Sequence, residues 1–516
     1  MLRKNAFSRI TIVLFLIVVI VIAFIGSFFV LRYETSIART PSLAPTPTPT
    51  ATPTPTPALT PTPVPTSTPT PTPAPTATPI SAPETSGYYV FQPIANFGNG
   101  AWQFEENNQH VYNYSFDGSI ASFNMTLNGD IIAPSTLYEG LLLVDLSYST
   151  DGAGECSYMV SQSANSPSAS AMYGEVAAIN VQTGEMVWKT IFPNLVMTQP
   201  LTYENLVIVG LGNNEARTNT VGGNGTNYVY TVRGNGTNYV AALNFSTGKT
   251  VWTFPTLGED MPTPVIYNGL VIEANGNGIV YALDALTGQE VWNTSLPAGS
   301  IVSMSSAAIV GDSIYFGANN PYTFSCVNLT DGEIAWSTPI KAYGGLDDCS
   351  PVIWNDLVIS GYTVETSEGL LQPVLFAMNA ASGQVVWQVD ENPGPEPEPI
   401  EIEVPPVSVW NGVVYSDPTE SGVLYAVNAS SGQLLWQFTT GEDNSNVNVY
   451  DGYLWLVNSN GTLFVLDPTT GLLLNEVNVG AGLGAGNLIF VGESVIICGT
   501  NGEVISMPAS SIYPGS

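Results

Sequence analysis

Carboxylates are the most abundant side chains of this chain that could take part in acid–base chemistry. Its 516 residues include 42 Asp and Glu, 10 Lys and Arg, and a single His, for a net charge of -32. Two carboxyl groups can hydrolyse a bond when one acts as acid and the other as base. The sequence therefore permits hydrolysis, but no spacing singles out one pair of acids. His110 is interpreted as a polar residue of a lead-in segment.

Cofactor and metal motifs are few. Asp151-Gly-Ala-Gly-Glu155 and Asp347-Asp348 carry the oxygen ligands that calcium prefers, although each is a short motif. No Cys and His cluster with zinc spacing occurs, and no CxxCH haem motif. We expect no cofactor, with structural calcium as the alternative.

Four cysteines allow three disulfide connectivities if the domain lies in an oxidising compartment. In the repeat described below, however, Cys326 aligns with Ala282 and Cys498 with Ala274. The alignment favours buried thiols in the core over disulfides. The full set is Cys156, Cys326, Cys349 and Cys498.

The charge distribution limits the partners. Five of the ten cations precede residue 40, so the remainder of the chain is strongly acidic. Such a surface repels nucleic acid and anionic lipid. Protein or glycan partners at the cell surface fit better, although the acidity can also serve solubility alone.

One motif recurs seven times and defines the elements that must position any site. In its clearest copy, Tyr281-Ala-Leu-Asp-Ala-Leu-Thr-Gly-Gln-Glu-Val-Trp292, two alternating strands flank a tight turn at Gly288. The Trp is interpreted as an apolar body that docks on the neighbouring repeat, with ligand stacking as the alternative. These predicted docking residues are Trp188, Trp252, Trp292, Trp336, Trp387 and Trp436, and Asn475 stands at the last position.

A second hairpin precedes each copy, as in Pro264–Ala274 with its Asn-Gly turn. Each repeat therefore predicts four antiparallel strands, the blade of a β-propeller. The combined pattern resembles the pyrroloquinoline-quinone (PQQ) repeat family over about residues 100–507. That family contains quinoprotein alcohol dehydrogenases and the non-enzymatic propeller lipoprotein that helps to assemble outer-membrane barrels.

The resemblance implies either a dehydrogenase or a binding module. Quinoprotein dehydrogenases hold PQQ with calcium and use a pair of adjacent cysteines, which this chain lacks. PQQ also carries three carboxylates that demand cationic partners, and few cations are present. We therefore expect a protein that is not an enzyme but a protein-binding or scaffolding module, with a PQQ-dependent dehydrogenase and a glycan-binding adhesin as alternatives.

The fold class expected is all-β, an eight-bladed propeller of four-stranded antiparallel blades. Seven motifs complete seven blades, and 487–506 supplies three further strands. Because an open blade leaves an unpaired edge, the segment Ser119–Met125 is expected to add the missing outer strand, with Ser122 at the Trp position. Seven blades are the alternative.

Insertions interrupt the repeat only in the connections expected on one face, at 146–173, 211–238, 361–373 and 390–406. Insertions confined to one face of a repeat array mark a candidate binding side. Tyrosines with Ser, Gly and Asn give them an adaptable binding composition. The candidate binding residues are Tyr148, Tyr158, Tyr173, Tyr228, Tyr230 and Tyr239. Loops without a role are the alternative.

The N-terminal region predicts an anchor and a stalk. Residues 10–31 are apolar enough to span a bilayer, and Arg3, Lys4 and Arg9 favour a cytoplasmic stub at 1–9. A cleaved signal peptide is the alternative. Residues 32–86 form a Thr- and Pro-rich linker, and 87–516 the propeller. We therefore expect a single-pass cell-membrane protein with its propeller outside the cytoplasm, and nine Asn-X-Ser/Thr sequons favour a glycoprotein.

Overall fold

The computed structural model describes residues 111–112 and 120–514, apart from positions 132, 150–171, 213–215, 223–225, 233–237, 257, 303, 368–370, 392–406, 418–421, 442–446 and 481–487. These residues form 35 strands and two 3₁₀ turns, Pro297–Gly299 and Ala509–Ser511. The predicted anchor and linker lie outside them. Among the residues described, no helix has the length and apolar character to cross a membrane.

Seven blades follow one another along the chain, each an antiparallel sheet whose four strands pair in sequence order. The inner strand has three residues and the outer strand is largely exposed. In order from the first blade to the seventh, the strands are Thr136–Tyr138, Leu141–Ser149, Met172–Asn180, Glu185–Phe192; Leu201–Tyr203, Leu206–Leu211, Tyr239–Asn244, Thr250–Pro255; Val265–Tyr267, Leu270–Ala274, Ile279–Asp284, Glu290–Ser295; Ala308–Val310, Ser313–Ala318, Thr323–Asn328, Ile334–Pro339; Val352–Trp354, Leu357–Glu365, Leu371–Asn379, Val385–Asp390; Ser408–Trp410, Val413–Ser416, Val423–Asn428, Leu434–Thr439; and Asn448–Tyr450, Tyr453–Val457, Thr462–Leu466, Leu473–Asn478. An additional hairpin, Ala216–Gly222 with Thr226–Val232, extends from the second blade.

The eighth blade closes the ring, as the sequence predicted. Its first three strands are Leu488–Val491, Ser494–Cys498 and Glu503–Pro508, and its outer strand is the N-terminal Phe123–Thr126. A fifth strand, Val111–Tyr112, pairs in parallel with the inner strand Leu488–Val491. The N-terminal segment therefore holds both edges of the closing blade.

Trp docking is repeated between blades with one geometry. The Trp252 ring lies over Gly288 of the next blade, where an added Cβ would approach it to 2.6 Å. Its Nε1 donates to the carbonyl of Ala285 at 3.0 Å. Glycine is required at this position because φ is +69° and because the ring leaves no room for a side chain. The same indole contact on a following glycine is made by Trp188, Trp292, Trp336, Trp387 and Trp436.

The expected placement of Ser122 at the Trp position is wrong by one residue. Phe123 pairs with Ser506 as Trp292 pairs with Ala282, and an added Cβ on Gly184 would approach the Phe123 ring to 2.9 Å. Ser122 is exposed. The shift follows from strand alternation, since a one-residue slip would turn the ring away from the first blade.

The core is divided into clusters between adjacent blades, each built from alternate residues of the facing strands. Cys326, Cys349 and Cys498 are buried, and none of the three forms a disulfide. The predicted buried thiols are therefore confirmed at these three positions. Cys156 lies outside the residues described.

Candidate active site

One position of the repeat carries an ionisable residue in a single blade. Aligning the second strands by their pairing with the inner strands superimposes Val144, Val209, Glu273, Phe316, Ser360, Ser416, Leu456 and Ile497. Seven members are apolar or small hydroxyl residues. Glu273 of the third blade is the exception, and it is 0% exposed. Neither oxygen of its carboxyl group has a hydrogen-bond partner within the described structure.

Glu273 faces the second blade because it lies on the same side of its strand as Val271, which packs against Ile208 there. The connection between these two blades brings Asp260 into the same interface. Asp260 is also 0% exposed, and its Oδ1 accepts from Nδ2 of Asn275 at 3.3 Å. Two carboxyl groups thus share a water-excluded interface.

Two side chains donate hydrogen bonds to the carboxyl group of Asp260, Thr256 to Oδ2 and Asn275 to Oδ1. Oγ1 of Thr256 contacts Oδ2 of Asp260 and also the carbonyl oxygen of Gly258, the latter at 3.1 Å. A hydroxyl has one hydrogen to donate. The hydroxyl of Thr256 is therefore shared between the carboxyl group of Asp260 and the carbonyl of Gly258.

Burial has the same effect on both acids. It raises the pKa of Asp260 to about 8. Burial also raises the pKa of Glu273 well above its usual value, and the charge of Asp260 raises it further. Two like charges in one buried interface are disfavoured together, so the pair holds at least one proton at neutral pH.

Glycines make room for the acidic segment between the blades. A Cβ on Gly210 would lie 2.1 Å from the carbonyl oxygen of Asp260. One on Gly212 would lie 2.6 Å from Cβ of Glu259, and one on Gly276 would lie 2.7 Å from its Cγ. The strand ends of both blades are therefore adapted to hold residues 258–260.

This arrangement suits acid–base chemistry. One carboxyl group can donate a proton to a leaving group while the other, once ionised, accepts a proton from water. Within the described ranges, no group of three His, Cys, Asp or Glu side chains is placed to hold a metal ion.

Two further buried acids lie in connections on the same face as the insertions. Burial raises the pKa of Glu391 to about 8, and its Oε2 accepts from Ser416 at 3.4 Å. Burial raises the pKa of Asp347 to about 6, and the amide of Asn319 donates to its carboxylate. In one of the two possible calcium motifs, Asp347-Asp348, the carboxylate of Asp347 is thus hydrogen-bonded to the amide of Asn319. The other motif, 151–155, lies outside the described residues.

The structure brings together only part of the tyrosine set. The rings of Tyr148 and Tyr173 stack with centroids 6.0 Å apart and an interplanar angle of 23°. Tyr239 begins the third strand of the second blade and is half-buried. Tyr158 lies outside the described residues, as do the side chains of Tyr228 and Tyr230. The role of these tyrosines in binding stays a prediction.

Sequence reasoning missed Glu273 and Asp260. Glu273 lies within the predicted hairpin Pro264–Ala274, and no motif marks Asp260. Position-by-position comparison of the second strands would have revealed Glu273 as the single acid among core residues. Asp260 gives no comparable signal, because the blade connections differ in length.

Comparison with known proteins places the chain among the PQQ-like repeat propellers, as the sequence predicted. It belongs to the family described as outer membrane protein assembly factor BamB, whose family model matches residues 212–365 and 372–511. The crystal structure of BamB from Moraxella catarrhalis superimposes with a TM-score of 0.51 at 14% identity, covering 76% of this chain and 100% of that one. This likeness concerns the fold.

Two curated relatives have enzymatic names. The tetrathionate hydrolase of Acidithiobacillus ferrooxidans is 28% identical over 361 residues, which cover 66% of this chain and 70% of that protein. The tetrathionate hydrolase of Acidianus ambivalens is 28% identical over 370 residues, covering 66% and 68%. The expectation that the chain is not an enzyme is therefore wrong. It rested on missing PQQ-binding features, which do not bear on a hydrolase.

Proposed function

We propose that this protein is a hydrolase acting on a sulfur–sulfur-bonded dianion of the tetrathionate class, with Asp260 and Glu273 as its acid–base pair. The observation that carries the proposal is Glu273. A carboxyl group without partners stands at a core position that seven other blades fill with apolar or small hydroxyl residues. The two tetrathionate hydrolases supply the substrate class.

The reaction follows from the two protonation states of the pair. The ionised carboxylate takes a proton from water as the water oxygen attacks one sulfur atom. The sulfur–sulfur bond breaks, and its electron pair leaves with the departing sulfur. The protonated carboxyl group gives that sulfur a proton. One product therefore gains the hydroxyl group and the other gains a hydrogen, and the pair has exchanged roles.

A protonated carboxyl group also suits an anionic substrate. It adds no charge and donates a hydrogen bond, which a sulfonate oxygen can accept. An ionised pair would repel the same substrate. Turnover needs one ionised and one protonated member of the pair, so activity is expected to rise as Asp260 ionises near pH 8 and to be lost once both members have lost their protons.

The test is turnover of tetrathionate by the purified full-length chain, followed by ion chromatography of substrate and products. Glu273→Gln and Asp260→Asn are each expected to lower kcat by about 100-fold or more, the usual contribution of an acid–base group. Glu290→Gln, on the exposed outer strand of the same blade, is the matched control and should retain activity.

Circular dichroism and melting curves establish that each variant folds. Full activity in folded Glu273→Gln would refute the role of this residue. Absence of tetrathionate turnover by the wild-type chain would refute the substrate class. Dye-linked alcohol oxidation on addition of PQQ and calcium would support the dehydrogenase alternative.

A second candidate function is protein binding on the insertion-bearing face. Two observations favour it. The hairpin Leu357–Glu365 with Leu371–Asn379 continues its pairing to Glu365 and Leu371, as long as the first-blade hairpin and longer than those of the other blades, and the family is described by an assembly factor. Crosslinking from residues 366 and 367 in native membranes, with residue 286 on the opposite turn as control, would test it. Equal recovery of partners from both faces would contradict it.

We place the protein at the cell membrane, with the propeller outside the cytoplasm. The support is the apolar run at 10–31 and its preceding cations. Protease treatment of intact cells should release the propeller by cleavage within 32–86. A propeller protected in intact cells and digested only after lysis would contradict this location.

A further inference from the structure

A belt of polar side chains joins consecutive blades close to the propeller axis. Its members, named here the hydroxyl belt, each lie two residues before an inner strand, and they are Gln199, Thr263, Ser306 and Ser350. The backbone N–H of Gln199 donates to Oγ1 of Thr263 at 3.0 Å. In the same way Thr263 donates to Oγ of Ser306 at 2.9 Å, and Ser306 to Oγ of Ser350 at 3.0 Å.

The position of the belt follows from the topology. The inner strand of each blade is the one nearest the axis, and it begins on the face where the blade-to-blade connections lie. Residues just before these strands therefore surround the axis at the mouth on that face. The four side chains are 0–5% exposed, so they are almost entirely removed from water.

The belt contains donors without acceptors. The hydroxyl oxygens of Thr263 and Ser306 accept from backbone N–H groups, and neither hydroxyl donates to another group in the described structure. Nε2 of Gln199 donates to Thr136 at 3.1 Å, whereas its Oε1 has no partner there. Buried polar groups are nearly always satisfied, so these unmatched atoms call for a ligand or for ordered water.

We infer that the hydroxyl belt binds a small tetrahedral oxyanion of the sulfate or sulfonate class at the axis. Oxyanion oxygens accept the hydrogens of Thr263 and Ser306, and a water that bridges to the anion donates to Oε1 of Gln199. The site lies outside the acid pair of Asp260 and Glu273, and its occupation does not depend on the hydrolytic function.

Neutral donors are sufficient for such a ligand. Anions bind to sets of N–H and O–H dipoles in several protein concavities without a neighbouring cation. In a buried site these dipoles act at low dielectric, where their attraction for charge is stronger than in water. The acids nearest to the belt along the chain are Asp348 and Asp347, two and three residues before Ser350, and Asp260, three residues before Thr263. The amide of Asn319 donates to the carboxylate of Asp347, and the side chains of Thr256 and Asn275 donate to Asp260, so Asp347 and Asp260 have donors of their own.

The experiment is isothermal titration of the full-length chain with sodium sulfate, at fixed ionic strength set with sodium chloride. Sodium ethanesulfonate is titrated in parallel to distinguish inorganic sulfate from a sulfonate group. Ser306→Ala is expected to weaken binding at least tenfold, and Ser306→Thr, which keeps the hydroxyl, should restore it. Ser325→Ala is the matched control. The hydroxyl of Ser325 forms a 2.9 Å hydrogen bond with the hydroxyl of Ser337 and is not part of the belt.

Anomalous diffraction from crystals soaked in selenate gives an independent readout of position. A selenium peak between Thr263 and Ser306 supports the inference even if a variant fails to fold. The inference is overturned if neither anion gives a binding heat, or if wild type and folded Ser306→Ala bind the anions equally. It is also overturned if the selenium peak lies only elsewhere or if the belt holds only water. Loss of tetrathionate turnover with sulfate binding intact would instead count against the acid pair.

Discussion

At the scale of single residues, the most informative position is Glu273. A carboxyl group that is fully buried and has no partner destabilises a fold, because desolvation is not offset by hydrogen bonds. The repeat shows what stability alone would select there, since Leu456 and Ile497 occupy the same position in other blades. An acid retained against that trend indicates that the residue is there for chemistry.

Replacement of Glu273 by Leu is therefore expected to stabilise the protein and abolish its activity. Removal of an unsatisfied buried carboxyl group should raise the free energy of unfolding by about 1–3 kcal/mol. Urea unfolding at pH 7 measures the first effect, and tetrathionate turnover measures the second. A merely structural Glu273 would give a destabilised Leu variant.

The control for this substitution is Val209→Leu at the same position of the second blade. It adds one methylene group at a fully buried apolar position, so the free energy of unfolding should fall by about 1–3 kcal/mol while activity persists. Loss of activity there would indicate that any disturbance of the interface between blades impairs turnover.

At the scale of the strand and blade, the strand order and the contacts between blades could be predicted because the same sequence motif occurs in seven blades. The Gly and Trp of each hairpin predicted the docking contact now seen between Trp252 and Gly288. Closure by the N-terminal strand also followed from counting strands. The register of this N-terminal strand could not be predicted, because it has only four residues and lacks the Trp by which the other outer strands can be aligned.

Phe123 replaces Trp at this seam, so Phe123→Ala should weaken ring closure. The side chain is half-buried, and its loss should lower the free energy of unfolding by about 2 kcal/mol, somewhat less than for a fully buried Phe. Thermal unfolding provides the measurement. Val187→Ala, on an outer strand and 50% exposed, should change stability by less than about 0.5 kcal/mol. Equal effects from both variants would argue against a docking role for Phe123.

At the scale of the whole molecule, the burial of acids and the scarcity of cations both favour the protonated form of the carboxyl groups. Only one ion pair, Lys189 with Glu175 at 2.9 Å, occurs in the described part of the chain. Burial meanwhile raises the pKa values of Asp260, Glu273 and Glu391. The sequence revealed the charge excess, whereas the pKa shifts depend on how blades enclose particular carboxyl groups, which composition cannot convey.

Stability is consequently expected to fall as the pH rises. Below the unfolded-state pKa of Asp, near 3.8, the acids are protonated in both states and the folded state is not penalised. Between that pH and about 8, the unfolded chain ionises while buried Asp260 resists, so stability declines by up to about 1.4 kcal/mol per pH unit for each such group.

Melting temperatures between pH 4 and pH 8 measure this decline, and Glu391→Gln should make it shallower because it removes one such acid. An exposed Glu290→Gln variant should follow the wild-type slope. A melting temperature that rises across this range would contradict the assignment of neutral buried carboxyl groups.

The closing blade also has a consequence for synthesis. Ala121 and Ser506, joined by a hydrogen bond across the seam, are 385 residues apart in the chain. At the usual rate of about 5–20 residues per second, the early strand waits roughly 20–80 s for its partner to leave the ribosome. During that interval the nascent ring has two open edges able to pair with other chains. The first-made strand of the closing blade is therefore open to pairing with other chains until the last strand has been made.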